Sequence, residues 1–239
     1  MIRTPDDTHR CMYIGRTGTG KSQAAIAQLA DQNFNEIPWV IIDYKGEDLL
    51  RDIIKRNRSA IKTIKVTDKP PKKPGLYYMN PAPKDDDGAM EVWLRNVHRQ
   101  GSLGIYIDEG YALPKFGDSP AFTMILTQGR SLHIPVICLY QRPVWMSRFA
   151  IAQADFIRVF KQGDERDEKI TKNFCRPAIL PDGSKLGPLE LDRLPDYFSL
   201  WHDVGRGHTA ILKPAPDRNT IIGKFTARLK PTKKKGSFI

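Results

Sequence analysis

"GRTGTGKS", Gly15 to Ser22, is the stretch on which the reading of the whole chain turns. Its spacing is G-x-x-x-x-G-K-S, that of a loop wrapped around a polyphosphate. Gly15, Gly18 and Gly20 permit backbone angles that side chains forbid, so successive N–H groups can converge on one anion. A helix opening near Lys21 would aim the positive end of its dipole at the same point. On this reading Gly15, Arg16, Thr17, Gly18, Thr19 and Gly20 form the cradle. Lys21 reaches the β- and γ-phosphates of ATP, and Ser22 ligates Mg²⁺. Such a loop needs a strand before it and a helix after it. The apolar "CMYI" and the Ala-, Leu- and Gln-rich "KSQAAIAQLADQ" supply both. The competing reading is a glycine-rich turn between two elements.

Outward from this loop, apolar strands alternate with amphipathic helices, the pattern of a mainly parallel sheet covered on both faces. "WVIID", "LGIYI", "IPVICLY" and "FIRVF" read as buried strands, and "IKTIKV" as a more polar one. Helices are expected near residues 21–32, 89–100, 121–131 and 147–153, and over "DLLRDIIKR" and "DERDEKITKNF". "DKPPKKPG" reads as a loop that cannot continue a strand or helix. "LYYMNPAPKDDDG" reads as irregular. "FSLWHDVG" and "HTAILKP" read as a strand pair around "GRG".

A phosphate loop also needs a magnesium-holding acid and a base for water. "LGIYIDEG" offers both. Asp108 ends an apolar strand, where its carboxylate would hold Mg²⁺ through water. Glu109 is the candidate general base. Gln141 follows the apolar run ending at Tyr140. In a parallel sheet its amide emerges at the same carboxyl edge, where it could bond the γ-phosphate or the water. The plainer readings are an acidic pair capping the next turn and a polar residue closing a strand.

Composition narrows the partners. The chain has 239 residues, with 38 Lys plus Arg against 27 Asp plus Glu, a formal charge of +11. That imbalance suits a polyanion, either nucleic acid or an anionic membrane surface, unless it serves solubility alone. Cys11, Cys138 and Cys175 are widely spaced, which supports neither a disulfide framework nor a zinc site. No apolar run approaches the roughly 20 residues that span a bilayer, and the polar "MIRTPDDTHR" is not a secretory signal. A soluble protein of the cell interior is expected.

Taken together, "GRTGTGKS", "VIIDYKGE", "IYIDE" and "GRSLHIPVICLYQRP" follow the motif order of the FtsK–HerA branch of P-loop ATPases, which they resemble. "FAIAQADFIRVFKQGDERD" extends the resemblance, which covers roughly Tyr13 to Thr171. It implies a RecA-like α/β core with a short C-terminal strand pair and a basic tail. It also implies an ATP hydrolase that moves double-stranded DNA. The chain is short for the branch, so it looks most like the small genome-packaging ATPases of tailless, membrane-containing icosahedral viruses. That likeness implies a homo-oligomeric ring, expected to be hexameric, acting in the host cytoplasm or at the packaging vertex of the virion. Capsid vertex or membrane proteins would be further partners. Arg130 is then the best match for an arginine that reaches a neighbouring subunit's γ-phosphate, with Arg142, Arg148 and Arg158 as competitors. One departure is Tyr140, where the family often has a small residue.

The organisation expected is an ATPase core over 1–176, a loop and strand extension over 177–226, and a basic tail over 227–239. Lys69, Lys72 and Lys73 could line a channel for DNA phosphates, and Lys233, Lys234 and Lys235 could hold DNA or dock to a capsid; both groups could equally be solvated. Trp93, Trp145 and Trp201 read as core. Three other functions remain open on the sequence alone. One is a phage assembly or secretion ATPase of the zonula-occludens-toxin type, and another is a plasmid or chromosome DNA pump. The third is a nucleotide-gated adaptor without hydrolysis.

Overall fold

The computed structural model describes residues 2–81 and 87–230. The first half of the chain gives β1 (Arg10–Ile14), α1 (Lys21–Ala30), β2 (Pro38–Ile42), α2 (Asp48–Arg56), β3 (Ile61–Thr63), β4 (Gly75–Met79) and α3 (Asp87–Gln100). The second half continues with β5 (Gly104–Ile107), α4 (Pro120–Gln128), β6 (Val136–Tyr140), α5 (Arg148–Ala152), β7 (Phe156–Val159) and α6 (Glu165–Lys172). It closes with β8 (Ala178–Ile179), β9 (Lys185–Leu186), β10 (Ser199–Asp203), β11 (His208–Leu212) and α7 (Arg218–Arg228).

Nine strands form one sheet in the order β11-β10-β7-β1-β6-β5-β2-β4-β3. All pairings from β7 to β3 are parallel. β10 pairs antiparallel with both β7 and β11, so within this sheet β10 alone runs against the rest. The C-terminal strand pair therefore continues the main sheet. β8 and β9 form a separate small hairpin.

Why these segments become strands is visible in their burial. β1, β2, β5, β6 and β7 are buried along their whole length, as a sheet covered on both faces demands. Alternate side chains serve two cores. Cys11 and Tyr13 face α1, α2 and α7. Met12 and Ile14 face α3, α4 and the segment carrying Cys175, Leu186 and Leu191. Cys11, Cys138 and Cys175 are buried and free.

Besides the β8–β9 hairpin, two elements differ from the sequence reading. Gly75, read as the end of a loop, and residues 76–79, read as irregular, form β4, paired in parallel with β2 and β3. The helix α7 falls where the sequence reading has the end of a loop and strand extension and the start of the basic tail; it is capped by Asp217, whose carboxylate accepts from the amides of Asn219 and Thr220. It buries Ile221, Ile222 and Phe225 on the α1 side and ties Lys224 to Asp31 at 2.9 Å. Trp93 and Trp201 are core residues, whereas Trp145 is half-buried, its ring 4.8 Å from that of Tyr111. The tail lysines Lys233, Lys234 and Lys235 lie outside the described residues.

Candidate active site

The glycine loop leaves β1 between β6 and β7, at the centre of the sheet and at its carboxyl edge, the place where open α/β sheets bind ligands. Both flanking strands hold it. The Gly15 amide donates to the Tyr140 carbonyl at 3.2 Å, and the Arg16 amide to the Lys161 carbonyl at 3.1 Å. The Thr19 hydroxyl closes the turn on the Arg16 carbonyl at 2.8 Å. Gly18 and Gly20 have φ of 83° and 85°, left-handed values that disfavour any other residue. Gly20 is the N-cap of α1 and offers no side-chain cap, so the first amides of the helix stay available to an anion. Arg16, Thr17 and Gly18 are exposed along the loop, and Ser22 is half-buried at the second position of α1. Lys21 is only 5% exposed. Burial, followed by the nearby Lys45 charge, pulls its pKa down, against the opposing pull of Glu109 and Asp108. The parallel strands β1, β6 and β5 end at this one edge, so the residues that follow them share it.

The acids arrive from β5. Asp108 follows this strand directly, is fully buried, and has no hydrogen-bond partner on either carboxylate oxygen. Burial pushes its pKa up to about 6, and Lys45 and Lys21 hold it from rising further. Glu109 is 7% exposed. Its Oε2 meets Lys45 Nζ at 2.5 Å, while Oε1 is buried without a partner. Three buried carboxylate oxygens without donors, beside a lysine at a helix N-terminus, fit a hydrated cation and a polyphosphate. Among the described residues no cluster of three or more His, Cys, Asp or Glu could hold a metal by itself. A site that borrows its remaining ligands from phosphate oxygens and water needs none.

Gln141 follows β6 directly and is half-buried. The bond from Gly15 to the carbonyl of Tyr140 sets it beside the loop. Tyr140 itself is fully buried, and its bulk is met by Gly110. A Cβ at position 110 would lie 2.4 Å from the Tyr140 ring and 2.7 Å from Cys138 Sγ. The large residue at 140 is thus matched by an absent side chain next to Glu109.

No protein-family profile matches the chain. A relative does. The chain is 38% identical to the DNA packaging ATPase P9 of Enterobacteria phage PRD1 over 224 residues, which are 94% of this chain and 95% of that protein. The chain belongs to this DNA packaging ATPase family. Its fold recurs in the genome packaging NTPase B204 of Sulfolobus turreted icosahedral virus 2, solved with ATP-gammaS, at a TM-score of 0.60 and 19% identity over 89% of this chain and all of that one. It recurs in EccC of Thermomonospora curvata at a TM-score of 0.58 and 13% identity, covering 94% of this chain and 42% of that one. These two likenesses show the shared fold.

Within the family frame, the four candidate finger arginines separate. Arg142 is committed internally, to Asp167 at 2.7 Å and Asp164 at 2.5 Å. Arg158 is buried and donates to Ser199 Oγ at 2.9 Å and to the Lys213 carbonyl at 3.3 Å. Among the described residues Arg130 and Arg148 are exposed and have neither an ion pair nor a hydrogen bond from the guanidinium. Arg130 lies after α4 and before β6, at the edge of the sheet opposite the glycine loop. The five residues of β6 separate the two edges by about 15 Å, so Arg130 and Lys21 of one chain do not share a site. Lys69, Lys72 and Lys73 are exposed. The amide of Gln100, at the end of α3, donates to the Pro71 carbonyl at 2.8 Å, which sets Lys72 and Lys73 at the Arg130 edge.

The sequence reading missed Lys45. It stands in "DYKGE", a stretch quoted only for its family likeness, and its contact with Glu109 joins two loops 64 positions apart (109 − 45).

Proposed function

We infer that this chain is an ATP hydrolase that drives double-stranded DNA into a preformed viral capsid. One observation carries the chemistry. The glycine loop, the unpartnered Asp108 carboxylate and the half-free Glu109 carboxylate follow parallel strands at one rim of the sheet. Membership of the packaging ATPase family carries the direction of the work.

Residues 15–20 and the first turn of α1 hold the phosphates by backbone N–H groups, and Lys21 balances charge between the β- and γ-positions. Ser22 and Asp108 are the residues that would hold Mg²⁺, which screens the phosphate charge when bound. Glu109 accepts the proton of the attacking water on Oε1, the oxygen that Lys45 leaves free. Lys45 fixes the other oxygen and with it the direction of the carboxylate. Gln141 bonds the water or the γ-phosphate from the neighbouring strand. Water oxygen forms the new P–O bond, the bond to the β-phosphate bridging oxygen breaks, and ADP and phosphate leave.

Arg130 completes the site of a neighbouring subunit, in a ring that we propose to be hexameric. The exposed lysines of the β3–β4 loop meet DNA phosphates without reading bases. The protein works at the packaging vertex, against capsid or membrane proteins. Among the described residues no helix is long and apolar enough to cross a membrane.

The test is ATP turnover with and without double-stranded DNA, run beside a sizing measurement. Turnover that rises with DNA and falls steeply with salt is expected. A folded ring indifferent to DNA would overturn the DNA assignment. The arginine is tested by mixing. Arg130→Ala and Glu109→Gln are each inactive alone. When mixed they recover turnover, because Glu109→Gln subunits lend Arg130 to intact bases. Failure of every mixing ratio would remove Arg130 from the site.

A further inference from the structure

The segment between β9 and β10 returns to the glycine loop, and its last residues do something the packing does not require. Tyr197 has φ of 67°, a left-handed value that costs any residue with a side chain. Its ring is not rewarded by burial, since the residue is 53% exposed. Yet the ring is fixed in place. A Cβ on Gly20 would lie 3.1 Å from Tyr197 Cδ1, so the ring stands against the N-cap of α1. It forms one wall of a cavity of about 410 Å³, together with Asp196 and Phe198. Residues 16–19 of the glycine loop and Lys161 line the rest of it. Lys161 ties the two segments together. Lys161 Nζ pairs with Asp196 at 2.9 Å, and its carbonyl accepts the Arg16 amide at 3.1 Å.

A strained backbone holding a half-exposed aromatic ring against a phosphate loop is the arrangement of a stacking platform. The volume lies within the range of small-ligand sites. A base whose phosphates occupy the loop can lie no further away than one ribose. We propose that Tyr197 is the platform on which the base of the bound nucleotide stacks. The inference rests on the nucleotide reading of the loop and adds the residue that recognises the aromatic part of the ligand. Stacking on a ring face favours any nucleobase over none and does not by itself choose among bases.

The decisive variant is Tyr197→Gly. Glycine adopts the φ of position 197 freely, so the fold survives while the ring is lost. Full-length protein is titrated calorimetrically with ADP and Mg²⁺, and separately with inorganic tripolyphosphate. In Tyr197→Gly the dissociation constant for ADP is expected to rise between about fivefold and a hundredfold, the range of base–aromatic stacking. Binding of tripolyphosphate is expected to stay at the wild-type value, and Tyr197→Phe to match wild type for both ligands. Unchanged ADP affinity in Tyr197→Gly would overturn the proposal. So would an equal loss for both ligands, which would mean that the ring only supports the loop. Wild-type protein that binds neither ligand would remove the nucleotide site itself, and the platform with it.

Discussion

Two aspartates end neighbouring strands and have opposite fates. Asp43 follows β2 and Asp108 follows β5, side by side because Ile42 and Ile107 are in register. Both are fully buried. Asp43 has a complete shell. It accepts from the Gly46 amide at 2.8 Å, from the Glu47 amide at 3.1 Å and from the Tyr78 hydroxyl at 3.0 Å. These bonds fold the chain from β2 into α2. The Asp108 carboxylate has no hydrogen-bond partner, and burial raises its pKa to about 6. A buried carboxylate with its donors in place belongs to the fold. One left without donors is held ready for a ligand that brings its own charge. Glu109 lies between these cases, with one oxygen on Lys45 and the other unpartnered.

The largest effect expected concerns that intermediate case. Glu109→Gln keeps the shape and removes the proposed base. Turnover should fall by about 10² to 10⁴, the usual contribution of a positioned general base. Nucleotide affinity should remain, whereas Lys21→Ala should lose it. Rapid-quench kinetics beside equilibrium binding separate the two, and hydrolysis at the normal rate in Glu109→Gln would deny Glu109 its role.

Next in size is the aspartate pair. The Asp108 carboxyl holds its proton more tightly in the folded chain, at about 6, than at its ordinary 3.8. The folded state is therefore penalised as the group ionises. The penalty is absent below about pH 4, grows between about pH 4 and 6, and is complete above that. At pH 7 it amounts to about 2–3 kcal/mol. Asp108→Asn should raise the stability of the nucleotide-free protein by up to that amount and flatten this part of its pH profile, while abolishing magnesium-dependent turnover. Asp43→Ala should do the reverse. It strands two amides and a hydroxyl and should cost about 1–3 kcal/mol or more. Denaturant melts of both variants across this pH range decide it. The contrast breaks if Asp108→Asn is destabilising or Asp43→Ala is neutral.

The glycine loop, the strand before it, and Asp108 with Glu109 were legible in the sequence, because each depends on residues close together in the chain. β4 was not. "GLYYM" stands between "DKPPKKP" and "NPAP", and local turn chemistry outweighs five residues whose strand state comes from pairing with β2 and β3. α7 carries a legible cap at Asp217, but Gly223 and β-branched residues weaken its helical signal, and packing on α1 and α2 makes up the difference. Lys45 and Tyr197 were illegible for a stricter reason. Their significance lies in contacts with Glu109 and Gly20, which only the folded sheet brings within reach. That Asp108 lacks donors while Asp43 has them could not be read either, because both sequences show only an acid after an apolar strand.

The smallest expected effect tests the completeness of the Asp43 shell. Tyr78→Phe removes one of its three donors and nothing else that the structure ties to that hydroxyl. The two amides remain, so the carboxylate keeps an acceptor's role and the turn into α2 survives. The loss should be about 0.5–1.5 kcal/mol, that of one hydrogen bond, with turnover unchanged. If Tyr78→Phe instead depressed turnover as strongly as stability, Asp43 would belong to the same machinery as Asp108, and the division between a structural acid and a ligand-holding one would have to be redrawn around both strands.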